Sequence, residues 1–289
     1  MKKILITGAT GNIGMDVIKH LFMQKTDLQI IAGVRNIEKA KLLFKNYPNL
    51  EYSHFDFEDP NTFDHSLQNI ETVFLLRPPN IDNISQHFRP LIHKIKTLDI
   101  NQVIFLSVQG AEKSKVIPHN KIEKLIVDQR LDYVFLRPSY FMQNLTTTLW
   151  NDIHSKRMIS LPSGNALFNW IDIDNIAEVV AIVITHFENY KNTSIELTGS
   201  ENANFENMVA IINEGVKNKI TYQSVSPFKF YRLKAKEGMD KKMIMVMILL
   251  HFLARLQKPP IISDAYKKIT GYNPTTLSQF AERELEKFK

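Results

Sequence analysis

Apolar residues along this chain follow two alternating rhythms. Ile4-Leu5-Ile6 is a short, continuous, β-branched run, the signature of a strand buried on both faces. Ile13, Val17, Ile18 and Leu21 then recur at helical spacing. The alternation continues with a strand over 28–34, an amphipathic helix over 37–44 and a strand over 50–55. A short helix opens at Asp59-Pro60, and a fourth strand covers 72–76. A long helix over 84–98, a strand over 103–106, a helix over 120–129 and a sixth strand over 133–136 complete the series. Six short strands alternating with helices predict an α/β fold of Rossmann type. Its sheet is doubly wound and parallel, because parallel neighbours need crossovers.

After Arg137-Pro138 helices dominate, near 174–187, 204–216, 226–236, 240–256 and 276–286, with short strands near 158–161, 194–197 and 220–224. No repeat or low-complexity linker separates the halves. The expected organisation is an NAD(P)-binding region over 1–150 and a smaller, mostly helical, substrate-binding lid over 151–289, interleaved with it and not separable.

Glycine placement brings in chemistry. Three of the ten glycines, Gly8, Gly11 and Gly14, fall between the first strand and the first helix. In such a loop one glycine makes the tight turn, one lets backbone approach a pyrophosphate, and one lets helix pack on strand. The helix amides then face the phosphates. The residue 21 positions after Gly14, where an NAD site carries an acid for the ribose 2′-hydroxyl, is Arg35. A guanidinium suits a 2′-phosphate, so NADP(H) is preferred, with NAD(H) the alternative. Asp56-Phe57, at the end of the third strand, is placed to cap the adenine ring and amine, or is simply a loop.

Composition narrows the partners. The chain has 289 residues, 36 basic against 30 acidic, a formal net charge of +6. The basic residues occur in short pairs along the length, which reads as solubility charge and calls for no nucleic acid. With no cysteine, and nine histidines without metal-binding spacing, no metal site is expected. The early apolar run breaks at Thr7-Gly8, unlike a signal peptide. The apolar stretch 243–250 is too short for a bilayer span, and is expected to be a buried or partner-covered helix. A cytoplasmic protein without membrane partners is expected.

The run Thr7-Gly8-Ala9-Thr10-Gly11-Asn12-Ile13-Gly14, with Val34-Arg35-Asn36, resembles the NmrA-like branch of the atypical short-chain dehydrogenases/reductases. So do Leu106-Ser107, the stretch from Leu136 to Asn144, Ile171 to Ala177 and Gly271 to Leu277. The likeness covers essentially the whole chain and is greatest to bacterial NAD(P)H:quinone oxidoreductase-like members. It implies that Thr7, Gly8, Thr10, Gly11, Asn12, Ile13 and Gly14 cradle the pyrophosphate. It also implies that Leu76 and Arg77 pass near the nicotinamide ribose, and that Ser107 stands where family enzymes hold an active-site serine. Pro138, Tyr140 and Phe141 would flank the nicotinamide, and Lys121 would turn toward cofactor.

One family feature is absent. Reductases of the wider superfamily use Tyr-x-x-x-Lys, whose ammonium lowers the tyrosine pKa. None of the nine tyrosines here is followed four residues later by lysine. His119 and Glu123, four apart on a helix, are positioned to hydrogen-bond, and His119 or Ser107 is a candidate proton donor. A quinone needs little acid help, so the chemistry favours reduction of quinones or similar small electrophiles over ketones. Phe228, Tyr231, Met239, Met243 and Met247 would cover such a substrate. The alternative is a non-catalytic, NADP(H)-sensing regulator with a protein partner. A homodimer on the apolar helix explains that run equally well.

Overall fold

The computed structural model describes residues 2–289 and divides the chain into two compact units. The first is Met1–Pro138 with Ile173–Leu197, and the second Ser139–Asp172 with Thr198–Lys289. The division thus falls at Pro138 rather than at 150, and the segment 173–197 belongs with the dinucleotide-type fold.

The first unit is built on strands β1 (Lys3–Ile6), β2 (Gln29–Val34), β3 (Glu51–His54), β4 (Thr72–Leu76), β5 (Gln102–Leu106), β6 (Asp132–Pro138) and β7 (Thr193–Leu197). They form one sheet in the order β7-β6-β5-β4-β1-β2-β3, and every pairing is parallel. The expected α/β, doubly wound fold is therefore present, with seven strands in place of six. β7 is an edge strand whose Thr193 and Ser194 are exposed, so its sequence lacks the apolar run that marks the inner strands. In β1, Ile4, Leu5 and Ile6 are at most 1% exposed, which is why the run is continuous rather than alternating.

Helices α1 (Asn12–Met23), α2 (Ile37–Leu43), α3 (Ile84–Thr97), α4 (Pro118–Asp128) and α5 (Ile173–Thr185) cover the sheet. α1 packs along α5, where Lys19 (2.8 Å) and His20 (3.0 Å) both meet Asp174. β1 lies between β4 and β2, so the strand order reverses there. Crevices at such reversals, beyond the carboxyl ends of the strands, are where doubly wound folds bind ligands.

The second unit has its own apolar core. Phe168–Ile171 pairs in parallel with Tyr140–Phe141 and antiparallel with Asn202–Ala203, while Thr221–Ser224 lies parallel to Met158–Leu161. Two of these strands have only two residues and carry no readable period. Around them pack α6 (Phe205–Gly215), α7 (Pro227–Lys236) and α8 (Lys241–Ala254), with shorter helices after them. The helix expected over 276–286 is broken into Leu277–Arg283 and Leu285–Phe288. Lys234, 4% exposed, is held by Asp152 (2.6 Å) and Glu237 (3.1 Å), and Lys156 bridges the same two carboxylates.

Candidate functional site

The loop after β1 opens the site. Gly8 has φ +61°, a left-handed conformation that costs a Cβ-bearing residue energy. Its carbonyl accepts from Gly11 N at 2.9 Å, closing the turn. A Cβ on Gly14 would fall 2.4 Å from that same carbonyl oxygen and 2.7 Å from Ala9 Cα. The loop thus has no room for a side chain at its third glycine. α1 follows Gly11 at its N-cap, with no side-chain cap and no acid in its first turn, so its leading amides have no partner from their own helix. Thr10, Gly11 and Asn12 are exposed and Ile13 half-buried. This bare, dipole-backed turn fits a pyrophosphate. Thr7 is different: its buried hydroxyl donates to Phe74 O (3.0 Å) and accepts from Leu76 N (2.9 Å). It ties β1 to β4 beneath the loop.

Arg35 lies exposed just past β2, next to Asn36, whose side chain caps α2 by accepting from Lys39 N at 2.8 Å. The backbone direction of α2 is thereby fixed beside the guanidinium. Asp56 accepts from Glu58 N at 3.0 Å and so shapes its own turn. Phe57 is a correction to the sequence reading. Its ring is 6% exposed and packed against Phe55 (4.9 Å) and Phe88 (5.1 Å), so it belongs to the core and not to an open loop.

At the ends of β4, β5 and β6 the side chains are tied to one another. Leu76 packs over Gly8. The Arg77 guanidinium donates to Ile81 O (2.7 Å) and Pro78 O (3.1 Å), and burial lowers its pKa. Ser107 donates its hydroxyl to Glu123 Oε1 at 2.6 Å. Arg137 grips the same carboxylate with Nε (3.0 Å) and Nη2 (2.7 Å), while its Nη1 reaches Glu112 at 2.9 Å. The sequence reading placed Ser107 but did not identify this network. No local pattern signals it, because Ser107, Glu123 and Arg137 come from three separate elements.

His119 does not pair with Glu123, as the spacing had predicted. It receives Arg77 Nε at 3.4 Å and stacks on Phe105, because Glu123 turns inward to Ser107 and Arg137. Burial, and then the Arg77 charge, push its pKa down to about 3. It is therefore neutral at physiological pH, with Nε2 already accepting. Lys121 is exposed in the first turn of α4.

Pro138 ends β6, its carbonyl accepting from Gln109 N at 2.9 Å. In the second unit, Phe141 is half-buried and Tyr140 enters an aromatic cluster, 4.9 Å from Trp170 and 5.2 Å from Phe168. The Tyr140 hydroxyl meets His251 Nε2 at 3.1 Å, and burial raises its pKa. Of the residues expected to cover substrate, Met247 is core and Tyr231 and Met239 pack against that core, whereas Phe228 and Met243 are exposed.

Residues 1–281 match the model of the NmrA-like family, and the chain belongs to that family. It is 29% identical over 279 residues, 96% of this chain and 91% of the other, to prestalk A differentiation protein A of Dictyostelium discoideum. It is 24% identical to an NAD(P)H azoreductase of Xenophilus azovorans over 99% of both chains. The same fold occurs in an NADPH-dependent quinone oxidoreductase from Escherichia coli crystallised with NADPH. That structure superposes with a TM-score of 0.86 at 22% identity over 97% of this chain and 99% of the other. These relatives are NAD(P)H-dependent oxidoreductases by name, the Dictyostelium protein apart.

Proposed function

We propose that this chain is an NADPH-dependent reductase of quinones or similar small electrophiles. The observation that carries the reading is the glycine turn beside β1, with its bare helix terminus, combined with Arg35 at the end of β2. Gly8, Gly11, Gly14 and the leading amides of α1 would hold the pyrophosphate, and Arg35 the 2′-phosphate. Bound there, the reduced nicotinamide supplies a hydride. A quinone accepting it becomes a hydroquinone monoanion, and one proton from water completes the reduction without a dedicated acid. The engagement of Ser107 with Glu123 and the neutrality of His119 agree with an acceptor of that kind. Two relatives named for reducing an azo compound and a quinone support the substrate class.

The same committed side chains favour a second reading, a protein that binds NADP(H) as a signal and passes it to a partner. The two part on one assay. Purified protein is mixed with NADPH and a panel of quinones, and loss of the reduced-nicotinamide absorbance is followed, with NADH as control. Turnover preferring NADPH establishes the reductase. Binding of NADPH with consumption no faster than buffer establishes the sensor and overturns the first reading.

A further inference from the structure

We propose that α7, α8 and the turn after α8 form a surface that docks on anionic lipid bilayers, a binding mode independent of the reductase reading above. Residues 227–258 hold eight basic and two acidic residues, a net +6 equal to the formal charge of the whole chain. The rest of the sequence is therefore neutral in sum, and the basic excess that looks dispersed as pairs is concentrated in one ninth of the chain. Both acids are occupied. Glu237 is bound by Lys156 and Lys234, and Asp240 caps α8 by accepting from Lys242 N and Met243 N. Lys229, Arg232 and Lys236 recur at helical spacing along α7 and are all exposed, with Arg232 resting over the exposed Phe228 ring. Lys241 precedes the apolar part of α8, and Arg255 and Lys258 follow it, all exposed.

Between these charges α8 has two apolar faces. Ile244, Met247, Ile248 and His251 are buried against the core of their own unit. Val246, Leu249, Leu250 and Leu253, shifted by two residues to the opposite side, are 43–56% exposed, and Leu256 beyond the helix is 74% exposed. An exposed aliphatic face flanked along the chain by exposed basic residues is the composition of an interfacial helix, whose apolar side enters the acyl boundary while lysines and arginines meet acidic headgroups. Among the described residues no helix is long and apolar enough to cross a membrane, so the contact is peripheral. A second copy is a poor occupant, because a two-fold contact would bring two +6 segments together. Nucleic acid would satisfy the charge and leave the leucines against phosphate.

The test is co-sedimentation of the full chain with vesicles of phosphatidylcholine alone and of phosphatidylcholine with phosphatidylglycerol, at low and high salt. Binding is expected only to the anionic vesicles, weakening with salt. Lys236→Ala and Lys241→Ala should each reduce partitioning roughly fivefold. Leu249→Glu with Leu250→Glu should abolish it while thermal midpoint and NADPH binding stay unchanged. Equal binding to neutral vesicles, or none to anionic ones, overturns the proposal. So does a dimer in analytical ultracentrifugation that the Leu249/Leu250 variant dissociates while wild type leaves vesicles unbound, which assigns the face to a second copy. Retention on duplex DNA that is indifferent to the leucine changes, without vesicle binding, also overturns it.

Discussion

The Ser107 hydroxyl donates to Glu123 Oε1 over 2.6 Å, and Arg137 holds both oxygens of that carboxylate. The serine proton is therefore committed to structure. Ser107→Ala should leave the maximal rate of quinone reduction within about tenfold of wild type, a far smaller loss than removing a proton donor causes. Glu123→Leu leaves Arg137 without its principal anion in a largely buried setting, and should cost about 3–5 kcal/mol of stability. Steady-state kinetics of the first and urea unfolding of the second check the two halves. A large rate loss in Ser107→Ala would restore the serine as the donor.

Arg35 is expected to read the cofactor and nothing else. Arg35→Ala should raise KM for NADPH by about ten- to a hundredfold, the loss of one or two charge-assisted hydrogen bonds, and leave KM for NADH nearly unchanged. Paired titrations with the two nucleotides measure this. Equal losses for both would move the 2′-phosphate contact elsewhere.

Gly14→Ala should remove nucleotide binding together with part of the stability. The added carbon would sit 2.4 Å from Gly8 O and 2.7 Å from Ala9 Cα, both backbone atoms, so only a displacement of the loop relieves it. A cost of about 1–3 kcal/mol is typical of such overpacking. Calorimetric titration with NADPH and a thermal melt report the two effects separately.

Acid should destabilise the fold through two buried histidines. Burial pushes His119 down to about 3 and His251 to about 4, against an ordinary value of 6.5. In the window below 6.5 the unfolded chain binds protons that the folded chain refuses, so stability is full above that pH and is lost as pH falls toward 4. Each contributes about 1.4 kcal/mol per pH unit. Urea midpoints between about pH 7 and pH 5 should fall, and His251→Phe should remove one histidine's share of the slope. A slope unchanged in that variant would show that His251 titrates normally.

Much of the first unit was legible in the sequence. Ile4-Leu5-Ile6, the glycines behind it and the helical repeat from Ile13 are local patterns, and local patterns follow from steric and periodic constraints within a few residues. Thr193–Leu197 was legible as a strand but not as the seventh of the parallel sheet, because pairing with β6 lies in no feature of its own five residues. Phe57 shows the same limit at the site. Asp56-Phe57 reads as an adenine cap or a loop, yet the ring packs at a tilt against Phe88, 31 residues away in the chain.

The sequence by itself determined the strand–glycine–helix start, the alternation that makes a doubly wound sheet, and the arginine in place of an acid after β2. Each depends on spacing within one element or between consecutive ones. Tertiary structure alone decided which polar groups are spent. It joins Ser107 just past β5 with Glu123 of α4 and Arg137 of β6, and turns His119 toward Arg77. It also divides the apolar run of α8 into a buried and an exposed face. A side chain's partner and exposure are set by what packs against it, and that comes from residues distant in the chain.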